Sequence, residues 1–353
     1  MSLTSPIYFS DSPWQKLDEI VSGLGADKVF VLTDSNCFRM LLPTAWRRDR
    51  KKFAGIMDVA PGEGSKTVET ALRLWECLSD AGATRNSLLV NIGGGLITDL
   101  GGFVASTFKR GIRFVNVPTT LLAAADAAIG GKTGVNLKML KNEIGVFSPA
   151  SAVLISSVFF NTLPNVEKIS GFAEIVKTAM ITDEKIYRGL LADGSPFDDM
   201  LMARAAHFSA TAKMEIVAAD PRESGLRKIL NFGHTAGHAY ETLSHMRGIG
   251  MPHGMAVAHG IFAELKISIE ECGLAESICN EYENKILRKY YRPLPFSRQD
   301  AEQLLNLMSH DKKNVSSTYI NFTLLKSIGN PELGVNLEKS KVLEYFAEGV
   351  LRQ

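Results

Sequence analysis

The stretch Ser87-Leu-Leu-Val-Asn-Ile92-Gly93-Gly94-Gly95-Leu96-Ile97-Thr98-Asp99 decides the fold. It opens on an apolar run of strand length, stops at consecutive glycines, and resumes as a helix from about Leu96. A strand that turns sharply into a helix is the repeating step of a parallel sheet covered by helices. The step recurs on both sides. Lys28-Val-Phe-Val-Leu-Thr33 reads as a strand ended by Asp34-Ser35-Asn36, Arg113-Phe-Val-Asn-Val117 as one stopped by Pro118, and Ala152-Val-Leu-Ile155 as another. Val68 to Ala81 carries Leu72, Trp75 and Leu78 at helical spacing. Ligands of such sheets gather at the C-terminal ends of the strands.

After Asn161-Thr162-Leu163-Pro164 the pattern changes to helical periodicity, over Val166 to His245 and Gly254 to Tyr291. The chain has 353 residues, and a single core stops growing at roughly 250–300. The expectation is therefore an α/β, Rossmann-like parallel-sheet domain over residues 1–165 and an all-α domain over 166–353. Lys plus Arg number 39 and Asp plus Glu 38, a net charge of +1. That balance argues against a nucleic-acid binder or a polybasic membrane binder. Cys37, Cys77, Cys272 and Cys279 form no Cys-x-x-Cys pair, which points to a reducing compartment. Met1 to Pro13 has no Lys or Arg and no long apolar run, so no signal peptide is read there and the expected location is cytoplasmic.

Several stretches carry chemistry. The glycine turn bares backbone N–H groups at a helix N-terminus, which suits a diphosphate, and Asp99 follows one turn later. In the loop Pro61-Gly62-Glu63-Gly64-Ser65-Lys66, the Glu63 carboxylate suits ribose hydroxyls and favours NAD over NADP. Asp126 interrupts a small-residue apolar stretch and needs a partner, for which Lys132 is the nearest candidate. Lys132 and the pair Lys141-Asn142 lie among glycines and suit an anion such as phosphate. Most of the histidines crowd between His234 and His259. The spacing of Arg227, Asn231, His234 and His238 places all of them on one face if the segment is a single helix. Glu174 and Lys177 share another helix face, and Pro252-His253-Gly254 opens a further helix. Glu174 with two histidines would make an open metal site, the candidates being His234, His238, His253 and His259. Lys213 and the cluster His310-Asp311-Lys312-Lys313-Asn314 complete the basic groups.

Taken in order, these stretches resemble the 3-dehydroquinate synthase family over about residues 60 to 315. The resemblance implies an NAD-binding α/β domain and a helical domain that holds a divalent metal, zinc or cobalt. It implies Glu174, His234 and His253 as metal ligands. It implies Asp34, Asn36, Glu63, Lys66, Gly94, Gly95, Asp99, Thr119, Thr120, Lys141 and Thr162 as cofactor-binding positions. Asp126, Lys132, Asn142, Lys177, Lys213, Arg227, Asn231 and Lys312 match substrate-site positions, and His238 would be a catalytic residue that transfers a proton or orients a partner beside the metal. Arg110 would reach the substrate phosphate of a neighbouring subunit, which implies a homodimer. The implied reaction is that of a phosphorus–oxygen lyase on the route to aromatic amino acids. It turns 3-deoxy-D-arabino-heptulosonate 7-phosphate into 3-dehydroquinate and phosphate, by transient oxidation, elimination, re-reduction and aldol closure. Ala127, Ala128 and Ala236 stand where many relatives carry Ser, Ser and Phe. Other sugar-phosphate cyclases and iron-type alcohol or glycerol dehydrogenases share the architecture. The basic residues Lys132, Lys141, Lys213, Arg227 and Lys312 argue against an alcohol dehydrogenase, which would release NADH in bulk and needs no lysines for a substrate phosphate.

Overall fold

The structure, a computed structural model, describes residues 4–43, 53–138, 140–309 and 318–350. It divides into two compact units, Met1–Lys168 with Met202–Arg222, and Ile169–Leu201 with Glu223–Gln353. One boundary between them lies at Lys168–Ile169. The segment Met202–Arg222 nevertheless belongs to the first unit, so a division at a single point does not describe the chain.

In the first unit the elements run β1 (Ile7–Phe9), α1 (Pro13–Leu24), β2 (Val29–Asp34), α2 (Ser35–Met40), β3 (Gly55–Val59), α3 (Val68–Asp80), β4 (Leu88–Gly93), α4 (Gly95–Thr107) and β5 (Arg113–Pro118). A ribbon of β6 (Lys132–Leu137) and β7 (Leu140–Phe147) precedes β8 (Ala152–Ile155). Six strands form one sheet in the order β1-β8-β5-β4-β2-β3, and every pairing in it is parallel. The inner strands β2, β4 and β5 are buried almost throughout, which is why they read as continuous apolar runs. Asn91 and Asn116, in β4 and β5, are polar residues within these strands. Asn91 Nδ2 donates to Asn116 Oδ1 at 2.9 Å, and Asn116 Nδ2 donates to the Ala128 carbonyl at 3.3 Å. Leu17, Val31, Val90, Val117 and Leu154 pack one core of this unit.

The chain leaves β2 toward β3 at one edge and leaves β4 toward β5 in the opposite direction. The crevice between β2 and β4 is therefore the topological switch point, where open α/β sheets bind ligands. Asp34 and Gly93 stand at the strand ends beside it.

The later elements are α5 (Asn165–Thr182), α6 (Glu184–Asp193), α7 (Asp199–Ala219), α8 (His234–Met246), α9 (His253–Cys272), α10 (Glu276–Tyr282) and α11 (Ala301–Ser309). The second unit is mainly helical but not all-α. Strands β9 (Tyr319–Ser327) and β10 (Asn330–Glu338) form an antiparallel pair in it. Ile320, Phe322 and Leu324 of β9 join Tyr240, Leu243 and Ile267 of α8 and α9 in the core of this unit. The expected single helix from Arg227 to His238 is also corrected. Leu226–Asn231 is a short 3-10 turn, Gly233 is left-handed (φ 78°), and α8 begins only at His234. Among the described residues, no helix is long and apolar enough to cross a membrane.

Candidate functional site

In the first unit Asp34, Gly94, Gly95, Thr119 and Thr120 stand at or just after the C-terminal ends of β2, β4 and β5, whereas Lys141 lies on the β6–β7 ribbon. Thr119 N–H donates to the Gly93 carbonyl at 2.9 Å, so the ends of β4 and β5 are locked side by side. Helix α4 starts at Gly95 behind Gly94, with no side chain capping its first N–H groups. Such open N–H groups carry partial positive charge and suit a diphosphate. Asp34 ends β2 and caps α2, its Oδ1 accepting the N–H groups of Asn36 at 2.9 Å and Cys37 at 3.1 Å. Thr120 Oγ1 accepts the Ala123 N–H at 3.2 Å, and Thr162 Oγ1 donates to the Phe159 carbonyl at 3.2 Å.

The loop after β3 is tied down by charge. Lys66 is buried, with Nζ 2.5 Å from Asp99 Oδ2 and 3.8 Å from Glu63 Oε1. Glu63 Oε1 also accepts the Asn136 amide at 2.9 Å. Burial raises the Asp99 carboxyl above its ordinary value, and Lys66 opposes that rise.

Asp126 is paired with a lysine distant in the sequence. Lys213, on α7, places Nζ 2.7 Å from Asp126 Oδ1 and 2.8 Å from its carbonyl. Spacing favours near neighbours, and the packing of α7 into the first unit brings in a lysine 87 residues away. Lys132, at the start of β6, and Asn142, in β7, are exposed. Asn142 and Arg110 both hold left-handed backbone, at φ 51° and 70°.

The second unit gathers its groups more tightly. Glu174 and Lys177 face one another on α5, Nζ to Oε2 at 2.5 Å, both buried. Glu174 Oε1 lies 3.4 Å from His234 Nε2 and 3.2 Å from His253 Nε2. The outer nitrogens are also engaged. His234 Nδ1 lies 3.1 Å from the Phe232 carbonyl, and His253 Nδ1 lies 3.2 Å from Glu241 Oε2. An acceptor on Nδ1 keeps a proton there and leaves Nε2 as the atom that would ligate a metal. His238 stands one turn along α8, its ring centroid 5.1 Å from that of His234.

The charges of this cluster shift one another's titration. Burial alone would raise the Glu174 carboxyl, but Lys177 and His234 outweigh it and hold it well below the usual carboxylate range. Burial disfavours a charge on His253, yet Glu241 and Glu174 overcome it and push the imidazole up to about 10. Burial lowers His234 to about 4, with Lys177 adding to the effect and Glu174 opposing it. The ligand atoms of Glu174, His234 and His253 all lie within 4.8 Å of one another. The edge of a tetrahedral site with bonds of about 2.0 Å is about 3.3 Å, close to the 3.2 and 3.4 Å separations here. The donor set thus fits a divalent metal such as zinc.

Two family models match adjoining parts of the chain, "3-dehydroquinate synthase N-terminal" over residues 56–170 and "3-dehydroquinate synthase C-terminal" over 171–314. The chain belongs to the 3-dehydroquinate synthase family. A 3-dehydroquinate synthase from Parabacteroides distasonis is 42% identical over 330 residues, covering 93% of each chain. One from Pyrococcus abyssi is 40% identical over 313 residues, covering 86% of this chain and 88% of that protein. Among solved structures, 2-deoxy-scyllo-inosose synthase in complex with carbaglucose-6-phosphate, NAD+ and Co2+ superposes with a TM-score of 0.83. It is 25% identical, covering 97% of this chain and 96% of that one.

For a member of the 3-dehydroquinate synthase family, the remaining positions sort as follows. Arg227 is buried in the turn before α8, and Asn231 Nδ2 donates to Glu223 Oε1 at 3.3 Å. Lys312 lies outside the described residues. His259 is no part of the cluster. Its Nε2 lies 2.8 Å from the Arg292 carbonyl, and burial lowers it to about 4. Sequence reasoning missed Glu241, although it falls three and seven residues after His238 and His234, a spacing that puts it on their helix face. It also missed Glu223, whose left-handed backbone (φ 59°) carries no signal in the sequence.

Proposed function

We propose that this chain converts 3-deoxy-D-arabino-heptulosonate 7-phosphate to 3-dehydroquinate and phosphate, using NAD and a divalent metal, zinc or cobalt. The convergence of Glu174 Oε1, His234 Nε2 and His253 Nε2, each backed by a second partner, carries this reading. When bound, NAD supplies a hydride acceptor that is regenerated within the cycle, and the metal supplies Lewis acidity at the carbinol oxygen. Asp34, Asn36, Glu63, Lys66, Gly94, Gly95, Asp99, Thr119, Thr120, Lys141 and Thr162 are assigned to the cofactor. The 2-deoxy-scyllo-inosose synthase complex with NAD+ and Co2+ supports the cofactor pair.

His238 takes up the proton released at the C5 hydroxyl and returns it when the ketone is reduced. Lys177 keeps Glu174 ionised, so that the buried carboxylate remains a ligand. Asp126 holds the Lys213 ammonium in one direction. Lys132, Asn142, Lys213, Arg227, Asn231 and Lys312 bind the phosphate and carboxylate of the substrate and orient the chain for ring closure. Arg110 serves the phosphate of a second copy in a homodimer, and the enzyme works in the cytoplasm.

The test is direct. Purified protein is incubated with the heptulosonate phosphate, catalytic NAD and zinc, and both phosphate and 3-dehydroquinate are measured. Stoichiometric release with no net NADH supports the reading. No turnover at micromolar enzyme sinks it, and NADH accumulating with simple alcohols would mark a dehydrogenase instead.

A further inference from the structure

Glu264 is fully buried on α9, eleven residues beyond His253, and no role above uses it. Its Oε2 accepts the Gly233 N–H at 2.6 Å, and its Oε1 accepts those of Thr235 at 3.0 Å and Ala236 at 3.2 Å. These N–H groups open helix α8, whose N-cap is Gly233, with no capping side chain and no acidic residue in its first turn. A helix start needs such acceptors, and an anion there also meets the positive end of the helix dipole. The carboxylate comes from a neighbouring helix because the two backbones touch. A Cβ on Gly260, one turn before Glu264, would lie 2.0 Å from the Gly233 carbonyl.

The bond to Gly233 reaches further than a cap. The Gly233 N–H and the Phe232 carbonyl belong to the same planar peptide unit. Glu264 holds one end of that plane, and the other end faces His234 Nδ1 at 3.1 Å. The remaining bonds fix Thr235 and Ala236, directly after His234. The His234 ring is thus clamped from before and after, with its Nε2 directed at Glu174. Bonds in series through a peptide polarise one another in a buried setting.

We propose that Glu264 is a positioning residue for the metal ligand His234, acting through the Phe232–Gly233 peptide. The inference rests on the metal reading above. Glu264→Gln keeps the shape but cannot accept at both ends, so an amide N–H must face either Gly233 or the Thr235–Ala236 pair. The experiment titrates metal-free wild type and Glu264→Gln with Co2+ and Zn2+, and records the visible cobalt spectrum with far-UV circular dichroism as the folding control. Affinity should fall by about 10- to 100-fold, the usual cost of losing an outer partner of a ligand, and the cobalt bands should shift. A folded variant with wild-type affinity and unchanged bands overturns the proposal. If Glu264→Gln does not fold, Glu264→Asp decides it. The charge then remains but the reach shortens, and unchanged metal affinity again overturns the proposal. Tyr282→Phe is the comparison variant, since it removes a buried bond from Tyr282 to the Ala258 carbonyl of the same helix. It should leave metal affinity intact, and an equal loss there would reduce Glu264 to general support of the fold. Wild-type protein that takes up neither metal would overturn the metal reading itself. Uptake by the wild type with an unaltered Glu264→Gln overturns only the positioning role.

Discussion

The two units answer buried charge in opposite ways. In the first, carboxylates and ammonium groups meet directly, Asp99 with Lys66 at 2.5 Å, Glu63 standing 3.8 Å from the same ammonium, and Asp126 with Lys213 at 2.7 Å. The C-terminal edge of its sheet also presents backbone, at the end of β4 and the start of α4. In the second, one carboxylate, Glu174, draws in Lys177, His234 and His253, and Glu241 stands behind His253. Backbone N–H groups and long flexible ammonium stems suit a large anionic cofactor. Convergent, individually backed donors suit a small cation.

Glu174→Gln tests that contrast most severely. Its neutral amide leaves Lys177 buried without its counter-charge, and breaking such a pair costs about 3–5 kcal/mol of stability. Metal uptake should disappear, and turnover should fall by more than the roughly 10- to 100-fold expected for an outer-partner change. Metal analysis, turnover and NADH fluorescence titration together read the result. NADH binding should survive in the folded variant, and its collapse would mean the two sites are not separable.

Lys66→Met is the mirror experiment. Burial already raises Asp99 against the pull of Lys66. Without the ammonium, the folded-state carboxyl rises further above its unfolded value. The folded state then binds more protons, so stability falls as pH rises through that carboxyl's pKa. The expected loss is about 3 kcal/mol at neutral pH and smaller in acid, with weaker NADH binding and unchanged metal content. A loss that grows toward low pH would reverse the assigned sign.

What could be read from the chain follows from burial. Strands β2, β4, β5 and β8 are legible because burial on both faces makes them continuous apolar runs. β1 is three residues long and β3 carries Asp58, so neither stands out, although both complete the sheet edges. The segment from Lys132 reads as an anion loop because of its glycines. In the fold, Gly134 and Gly145 are paired across a ribbon. Glu174 with two of four histidines is legible from spacing, and the resemblance points to His234 and His253, but His253 and His259 share one helix and packing separates their surroundings. The 227–238 spacing misled because Gly233 resets the helical register. Glu264 lies 31 residues from Gly233, and no local pattern could pair them.

His259 gives a milder test, since it belongs to α9 but not to the cluster. Its folded pKa of about 4 lies below the ordinary 6.5. The folded state therefore binds fewer protons between those values, and stability is full above pH 6.5 and lost as pH falls toward 4. The difference amounts to about 3 kcal/mol at the acid end. His259→Gln keeps a donor for the Arg292 carbonyl and does not titrate. Denaturant midpoints across pH 4 to 7 should show a shallower acid slope for this variant. Parallel slopes would show that His259 does not carry this share of the acid sensitivity.

The smallest effect is expected at the far end of α8. Arg247 follows its last turn, bonds Asp300 and Gln303, and stacks its guanidinium 5.5 Å from the centroid of Phe296. The Arg247 hydrogen bond lowers the Asp300 carboxyl, yet solvent reaches the pair, and exposed pairs contribute about 0–1 kcal/mol. Arg247→Ala should therefore cost less than about 1 kcal/mol, less still at high salt, and leave metal affinity unchanged. The variant alters the same helix that carries His234 and His238, but at the end remote from them. If metal binding weakened there as well, ligand geometry would depend on the whole of α8 rather than on its clamped first turn. The contrast between a locally held cation site and a backbone-lined cofactor edge would then lose its physical basis.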